Sequence, residues 1–275
     1  MAQEPDSSSA LFSMREAERN FARESVMYGR KAAFVENFAD KSVIFADKWI
    51  TSGKQFSREH KATPMVLKWE PEFMDISDSR DFGISTGPWE AQEYRPNTVP
   101  LATGYFLTVW KRQSDGVWKV ILDGGSTTPP AKEANHSFGF PAGDDKPILN
   151  PLKMNVELLG KELLGREKQF LTEWKKSPLA STYVSFMATD ARIQFNGHLP
   201  TTNTDSINIW ISEMDKKLIW KPVSSGAASS GDMGFTYGLL ETQGAPEVTK
   251  GHYVRIWRKR PGTDWNIELE MININ

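Results

Sequence analysis

The 275 residues carry 33 Lys and Arg against 35 Asp and Glu, a formal net charge of −2, with charged residues spread along the chain. No basic block or stripe suits the neutralisation of phosphates, which argues against a nucleic-acid partner, and no apolar run approaches the length of a membrane span. Cysteine is absent, which removes disulfides, thiolate metal sites and a cysteine nucleophile together.

The opening MAQEPDSSSA lacks the basic and apolar regions of a signal peptide. Residues 1–9 read as a tail. Ala2 fits a start left by signal cleavage, so a secreted or periplasmic origin and a cytoplasmic one both stay open. Leu11, Met14, Glu18, Phe21 and Ser25 fall on one face of a helix. A second, short helix is expected to end near Phe38 and lead into a strand at Ser42–Phe45, and Ser57 is placed as the cap of a third helix. From Trp69 onward, β-branched and aromatic runs broken by turn residues predict strands. Ser79, Asp81 and Gly83 are read as a turn in which Gly supplies a positive φ. Gly87, inside the next strand, marks a bulge, a bend or a close backbone approach. Asp115-Gly116 predicts a tight turn, with Trp110 and Trp118 paired across the two strands it joins.

Residues 127–152 are rich in Pro, Gly, Ala and charge and read as a linker. Asn135-His136-Ser137 within it spells a glycosylation sequon and is taken as a chance tripeptide. Beyond the linker the chain repeats itself. SGDMGFTYG (230–238) echoes SRDFGISTG (79–87) at an offset of 151, which also places Trp69 on Trp220, Pro71 on Pro222 and Glu90 on Glu241. At an offset of 147, GYFLTVWKRQSDGVWKVILD (104–123) lies over GHYVRIWRKRPGTDWNIELE (251–270). At an offset of 149, Glu18-x-x-Phe21 lies over Glu167-x-x-Phe170. Ordered blocks separated by short indels point to an internal duplication, with domains at 10–126 and 153–275. In the second copy Leu159, Leu163, Glu167, Phe170 and Trp174 form the first helix face, and a short helix ends near Met187. Ile207, Trp210, Ile211, Met214 and Leu218 mark a third helix, with Thr204 or Asp205 as its N-cap. Pro261-Gly262 takes the place of Asp115-Gly116. Helices first and an antiparallel meander afterwards predict an α+β fold in each copy.

The ordered set Glu18-x-x-Phe21, Phe38-Ala39-Asp40, Trp69-Glu70-Pro71, Ser79-Arg80-Asp81-Phe82-Gly83, Gly104 to Trp110 and Asp115-Gly116-x-Trp118 resembles the NTF2-like superfamily, in particular its SnoaL-like group with the DUF4440 domains. The match covers most of residues 10–125 and is weaker across 157–275. The resemblance implies two cones, each a curved antiparallel sheet wrapped around three helices and enclosing an apolar pocket. It also implies a monomer of 31.1 kDa whose halves pair as an internal pseudo-dimer. Members of that superfamily include ketosteroid isomerase, polyketide cyclases and dehydratases. A catalytic carboxylate after the first strand would fall near Asp47, although a gapless match puts Ala46 there and the second copy has Asn196.

Glu18 and Glu167 recur inside apolar helix faces, as pocket acids of raised pKa or as ties from helix to strand. Trp49, Trp69, Trp89 and Tyr105, with Trp220, Tyr237 and His252 in the second copy, are the aromatic candidates for pocket walls. His198 in FNGHL is placed at the second pocket or on a surface loop, and Asp123 and Glu270 are read as ending the last strands, at a pocket mouth or in solvent. Gly83-Ile84-Ser85-Thr86-Gly87 spells G-x-S-x-G, but a strand is the wrong setting for a nucleophile elbow. The four histidines lack metal-ligand spacing, and nothing calls for a cofactor. The functional expectation is a protein that binds a small, mostly apolar ligand. The alternatives are an isomerase, cyclase or dehydratase with Asp47 as base, and an adaptor that binds another protein through its sheet.

Overall fold

A computed structural model describes residues 9–46, 49–93, 99–130, 154–214, 218–242 and 250–274, in two units, residues 1–151 and 152–275. Asp47 and the sequon at Asn135 lie outside the described residues. Unit 1 opens with α1 (Ala10–Tyr28), where Ser9 Oγ accepts the Phe12 N–H at 3.0 Å and caps the helix. The stripe Leu11, Met14, Glu18, Phe21 and Ser25 is buried, as its spacing requires. Gly29, at φ 84°, turns the chain into α2 (Arg30–Asn37), which runs directly into β1 (Phe38–Ala46). β2 (Trp49–Ser52), α3 (Gly53–Glu59), β3 (Met65–Trp69), β4 (Phe73–Ile76), β5 (Phe82–Glu93), β6 (Ala102–Arg112) and β7 (Trp118–Thr127) complete the unit. The sheet runs β2-β1-β7-β6-β5-β3, with β4 and β3 paired to successive halves of β5.

Unit 2 repeats the plan. Its elements are α4 (Val156–Lys176), α5 (Ala180–Val184), β8 (Met187–Phe195), α6 (Thr204–Glu213), β9 (Leu218–Ala227), β10 (Met233–Thr242), β11 (Lys250–Lys259) and β12 (Trp265–Ile274). The sheet order is β8-β12-β11-β10-β9. Each unit has its own core, in which the helix stripe meets the sheet. In unit 1 Phe21 sits edge-on to Trp69 and Phe34, with ring centroids 4.8 and 4.9 Å away. In unit 2 Phe170 packs on Tyr183 and Phe186 at 4.8 and 5.2 Å. Burying each such ring contributes about 1.5–3 kcal/mol. Among the described residues no helix is long and apolar enough to cross a membrane.

The expected all-antiparallel sheet is corrected in both units. β1 pairs with β7, and β8 with β12, in parallel. A parallel pair needs a long connection, and here the rest of each unit supplies it. Two caps are also corrected. Ser52 precedes α3, while Ser57 lies within that helix and bonds back to Gly53 O at 2.8 Å. Asn203 caps α6 by accepting the Ser206 N–H at 2.9 Å, one residue ahead of Thr204. Trp110 and Trp118 do not face one another. A register shift at Val109/Trp110 sets Trp110 opposite Val120 and Trp118 opposite Arg112.

The repeated phrase shapes the sheet. Its turn closes with Ser77 N–H on Phe82 O at 2.8 Å and Ala228 N–H on Met233 O at 2.8 Å. The positive φ falls at Arg80 (54°) and Gly231 (72°), not at Gly83. Gly83 and Gly234 instead lie in strands, where a Cβ would meet Met14 Sδ at 2.5 Å or Leu163 Cδ1 at 2.4 Å, so they set how closely the first helix packs. Asp81 and Asp232 ion-pair with Lys111 and Arg258 at 2.8 and 3.0 Å and tie the turn to the next strand. At Gly87 and Gly238 a Cβ would lie 2.0 Å from Glu70 O and 2.3 Å from Lys221 O, the close backbone approach that the sequence suggests.

Gly104 is tighter still, with Ser126 O at 1.9 Å and the Trp89 ring at 2.5 Å from an added Cβ. Gly104→Ala is expected to cost about 1–3 kcal/mol by overpacking, read as a lowered urea midpoint with an unchanged m-value. A midpoint equal to the parent's would show that β6 has room to shift.

Candidate functional site

In unit 1 Glu18 is a fully buried carboxylate. Its Oε1 accepts from Trp69 Nε1 at 2.6 Å, and its Oε2 accepts from Trp110 Nε1 at 2.9 Å and from Ser85 Oγ. Each donor comes from a different strand, so the carboxylate ties α1 to β3, β5 and β6. Burial raises its pKa, and the three donors partly offset that rise. Glu18 is a tie within the core and does not line the cavity. Ser85 is buried along β5 and donates to Glu18, which is not the exposed elbow of a nucleophile.

Beside this tie, unit 1 holds an open-mouthed cavity of about 390 Å³. Phe21 of α1, Phe34 of α2, Leu67 and Trp69 of β3, Trp89 of β5 and Phe106 of β6 give it a largely aromatic wall. Trp89 lies against Gly104 and Gly125, which lack the side chains that would push its ring away. The polar end is Thr108 and Asp123, register partners across β6 and β7, with Thr108 Oγ1 donating to Asp123 Oδ1 at 2.7 Å. Burial lifts the Asp123 pKa to about 7, with Glu18 adding to the rise and Thr108 and Arg30 opposing it. Arg30, exposed at the start of α2 and 5.2 Å from the Phe34 ring centroid, stands at the rim. It is shared with a neighbouring hollow of about 70 Å³ that reaches His60 and Lys61.

Of the residues singled out in the sequence of unit 1, the structure brings Trp69, Trp89 and Asp123 to the cavity. Tyr105 is corrected: side chains alternate along β6, so Phe106 and Thr108 point in and Tyr105 points away. Trp49 lies on β2 opposite Ala46, and its side chain is outside the described set, as is Asp47. Phe34 and Thr108 were missed. Thr108 was not legible, because the turn at Asp115-Gly116 alone would set it opposite Leu122, and the register shift at Val109/Trp110 brings it to Asp123.

The interior of unit 2 is built on the same frame and holds a fully buried arginine. Thr236, Arg255 and Glu270 stand opposite one another on β10, β11 and β12, as Ser85, Thr108 and Asp123 do on β5, β6 and β7. Arg255 is fully buried, with Nη1 on Glu167 and Nε 2.7 Å from Glu270 Oε1. Its Cζ lies 4.3 Å from the Trp220 ring centroid, 4.4 Å from that of Tyr253 and 4.5 Å from that of Phe170. Glu167 also accepts from Thr236 at 2.8 Å and Tyr253 at 2.9 Å, and Glu270 accepts from Tyr183 at 2.7 and 2.8 Å. Burial lowers the Arg255 pKa, but the two carboxylates more than offset it and keep the guanidinium charged. Burial raises Glu270, against the pull of Arg255.

Glu167, Trp220 and Glu270 thus converge as an arginine clamp, a role that the sequence did not suggest. Tyr237 and His252 are corrected as pocket walls. Alternation puts them on the sheet face opposite Thr236, Tyr253 and Arg255. Burial pushes His252 down to about 4. His198 is exposed, its ring 5.0 Å from that of Trp210.

No family model matches the chain, and no curated protein matches it. Solved structures do overlap with parts of it. A nuclear transport factor 2 (NTF2-like) superfamily protein from Salmonella enterica serovar Typhimurium is 13% identical over 47% of this chain and 98% of its own, with a TM-score of 0.36. A ketosteroid isomerase-like protein from Erwinia carotovora atroseptica is 15% identical over 45% and 99%, with a TM-score of 0.35. A Nostoc punctiforme protein of unknown function with a cystatin-like fold is 12% identical over 44% and 92%, with a TM-score of 0.35. The α+β class of the two units stands on their own strand order and register.

Proposed function

We propose that unit 1 is a binding module for a small, mostly apolar molecule, and that both units are NTF2-like cones of which the second is filled from within. The observation that carries this reading is the contrast at one position. Thr108 leaves a cavity of about 390 Å³ walled by aromatic rings, and Arg255 occupies the corresponding space in unit 2. Concave apolar sites with a few convergent polar groups are where small ligands bind. Here those groups are Asp123 and Thr108 at one end and Arg30 at the rim.

The test uses the second unit's own solution. A panel of steroids, polyketides and fatty acids is screened by thermal shift against the native chain and against Thr108→Arg, which copies Arg255 into the cavity. At least one compound should raise the melting temperature of the native chain and lose that effect in Thr108→Arg. Shifts equal in the two proteins, or absent for this panel and for small charged and neutral amphiphiles alike, would remove the binding reading.

A further inference from the structure

We infer that the cavity of unit 1 receives an organic cation, a guanidinium or alkylammonium group on an apolar body, and that Arg255 in unit 2 shows the occupied arrangement of the same cage. The inference rests on the binding function proposed for unit 1 and specifies the chemistry of its ligand.

The frames correspond residue by residue. Phe21 and Glu18 of α1 match Phe170 and Glu167 of α4, and Trp69 of β3 matches Trp220 of β9. Phe106 and Asp123 hold the register positions of Tyr253 and Glu270. In unit 2 these rings surround a guanidinium at 4.3–4.5 Å, the distance at which aromatic faces attract a cation, and two carboxylates neutralise it. In unit 1 the rings and both acids are kept while the guanidinium is gone; Glu18 is held in the core by Trp69, Trp110 and Ser85, and Asp123 is the acid that faces the space. What remains beside Asp123 is open volume with aromatic walls.

A neutral ligand fits the walls and can donate a hydrogen bond to the carboxylate, but it leaves the charge uncompensated. An anion meets Asp123 unfavourably, with Glu18 behind it. Arg30 is the only cationic residue among the described lining residues, and it stands exposed at the rim, where solvent screens it. A cation at the Thr108 end is therefore the occupant whose charge the cavity complements. The groups that face Asp123 are Glu18 from α1, Arg30 from α2 and Thr108 from β6. Burial in the cavity wall is the main reason Asp123 holds its proton to about 7, with Glu18 adding to the rise and Thr108 and Arg30 opposing it, so cation affinity should rise with pH as Asp123 ionises.

The probes are butylguanidinium, its near-isosteric neutral analogue butylurea, and pentanoate, titrated calorimetrically into the full chain at pH 8 and pH 5. Butylguanidinium is expected to bind about tenfold or more tightly than butylurea at pH 8, with the preference shrinking at pH 5. Asp123→Asn, which keeps the shape and the partner Thr108, should erase the preference, and Thr108→Arg should block binding. Butylurea or pentanoate binding as tightly as butylguanidinium, with Thr108→Arg still blocking, would overturn the cation inference and leave the binding module standing. A preference unchanged in Asp123→Asn would overturn it as well. If no probe and no compound of the wider panel binds in a way that Thr108→Arg blocks, the binding reading itself falls.

Discussion

Arg255→Thr is expected to destabilise unit 2 by about 3–5 kcal/mol, the cost of leaving buried charges without their partner. Glu167 and Glu270 have no exposed surface, and both direct an oxygen at the guanidinium. Removing it leaves two carboxylates facing one another in a space walled by Trp220, Tyr253 and Phe170. They must then take up protons, admit water or open the unit. Part of the loss is packing, because three rings lose a shared neighbour. Urea unfolding measures the total, and amide exchange in α4 and β10–β12 locates it. The double variant Arg255→Thr/Glu270→Gln should recover part of the loss, since one of the stranded charges is then absent. Stability within about 1 kcal/mol of the native chain for Arg255→Thr would mean that the guanidinium does not hold unit 2 together.

Asp123→Asn should act in the opposite direction above neutral pH. In the unfolded chain an Asp loses its proton near 3.8, whereas folded Asp123 keeps it to about 7. Its contribution to stability is therefore complete below pH 3.8, declines as pH rises through that window, and above pH 7 has fallen by on the order of 4 kcal/mol. An amide can still accept from Thr108 Oγ1 and has no charge to desolvate. The variant is expected to match the native chain near pH 4 and to exceed it at pH 8. Glu18, also raised by burial, keeps a slope of the same sign in both proteins, so the reading is the difference between their pH–stability curves. A constant difference from pH 4 to 8 would show that Asp123 ionises in the folded protein as it does in water. His252 works the other way. Held down to about 4, it contributes stability that is present above pH 6.5 and is lost as pH falls toward 4. Over much of the same range, acid therefore favours unit 1 through Asp123 and weakens unit 2 through His252.

Much of the fold was legible because local physics wrote it. Helix faces show as i, i+3, i+4 stripes, and the turns at Gly116 (φ 86°) and Gly262 (φ 78°) are named by their residues. The duplication showed because close contacts leave no choice at Gly87, Gly104 and their copies. The parallel pairing of β1 with β7 was not legible, since periodicity says which residues share a face and not which strand lies alongside. Which face of β6 turns inward was not legible either, and Tyr105 stood at the cavity in place of Phe106. Arg255 was present in the aligned block GHYVRIW over GYFLTVW, the one Lys or Arg of that block and opposite Glu270. Reading it needed the register of three strands at once, together with a helix 88 residues away.

That separation has a bearing on how unit 2 forms. Glu167 lies on its first helix, Arg255 and Glu270 on its last two strands, so the charges meet only when both ends of the sequence have come together. Any partly assembled state that seats one of them early strands a charge away from water, and such states are too costly to accumulate. Formation of this half is then expected to be two-state, with slow, long-range closure, and refolding kinetics of a single exponential phase would show it. A chain cut before Trp265 has no halfway fold in which to rest.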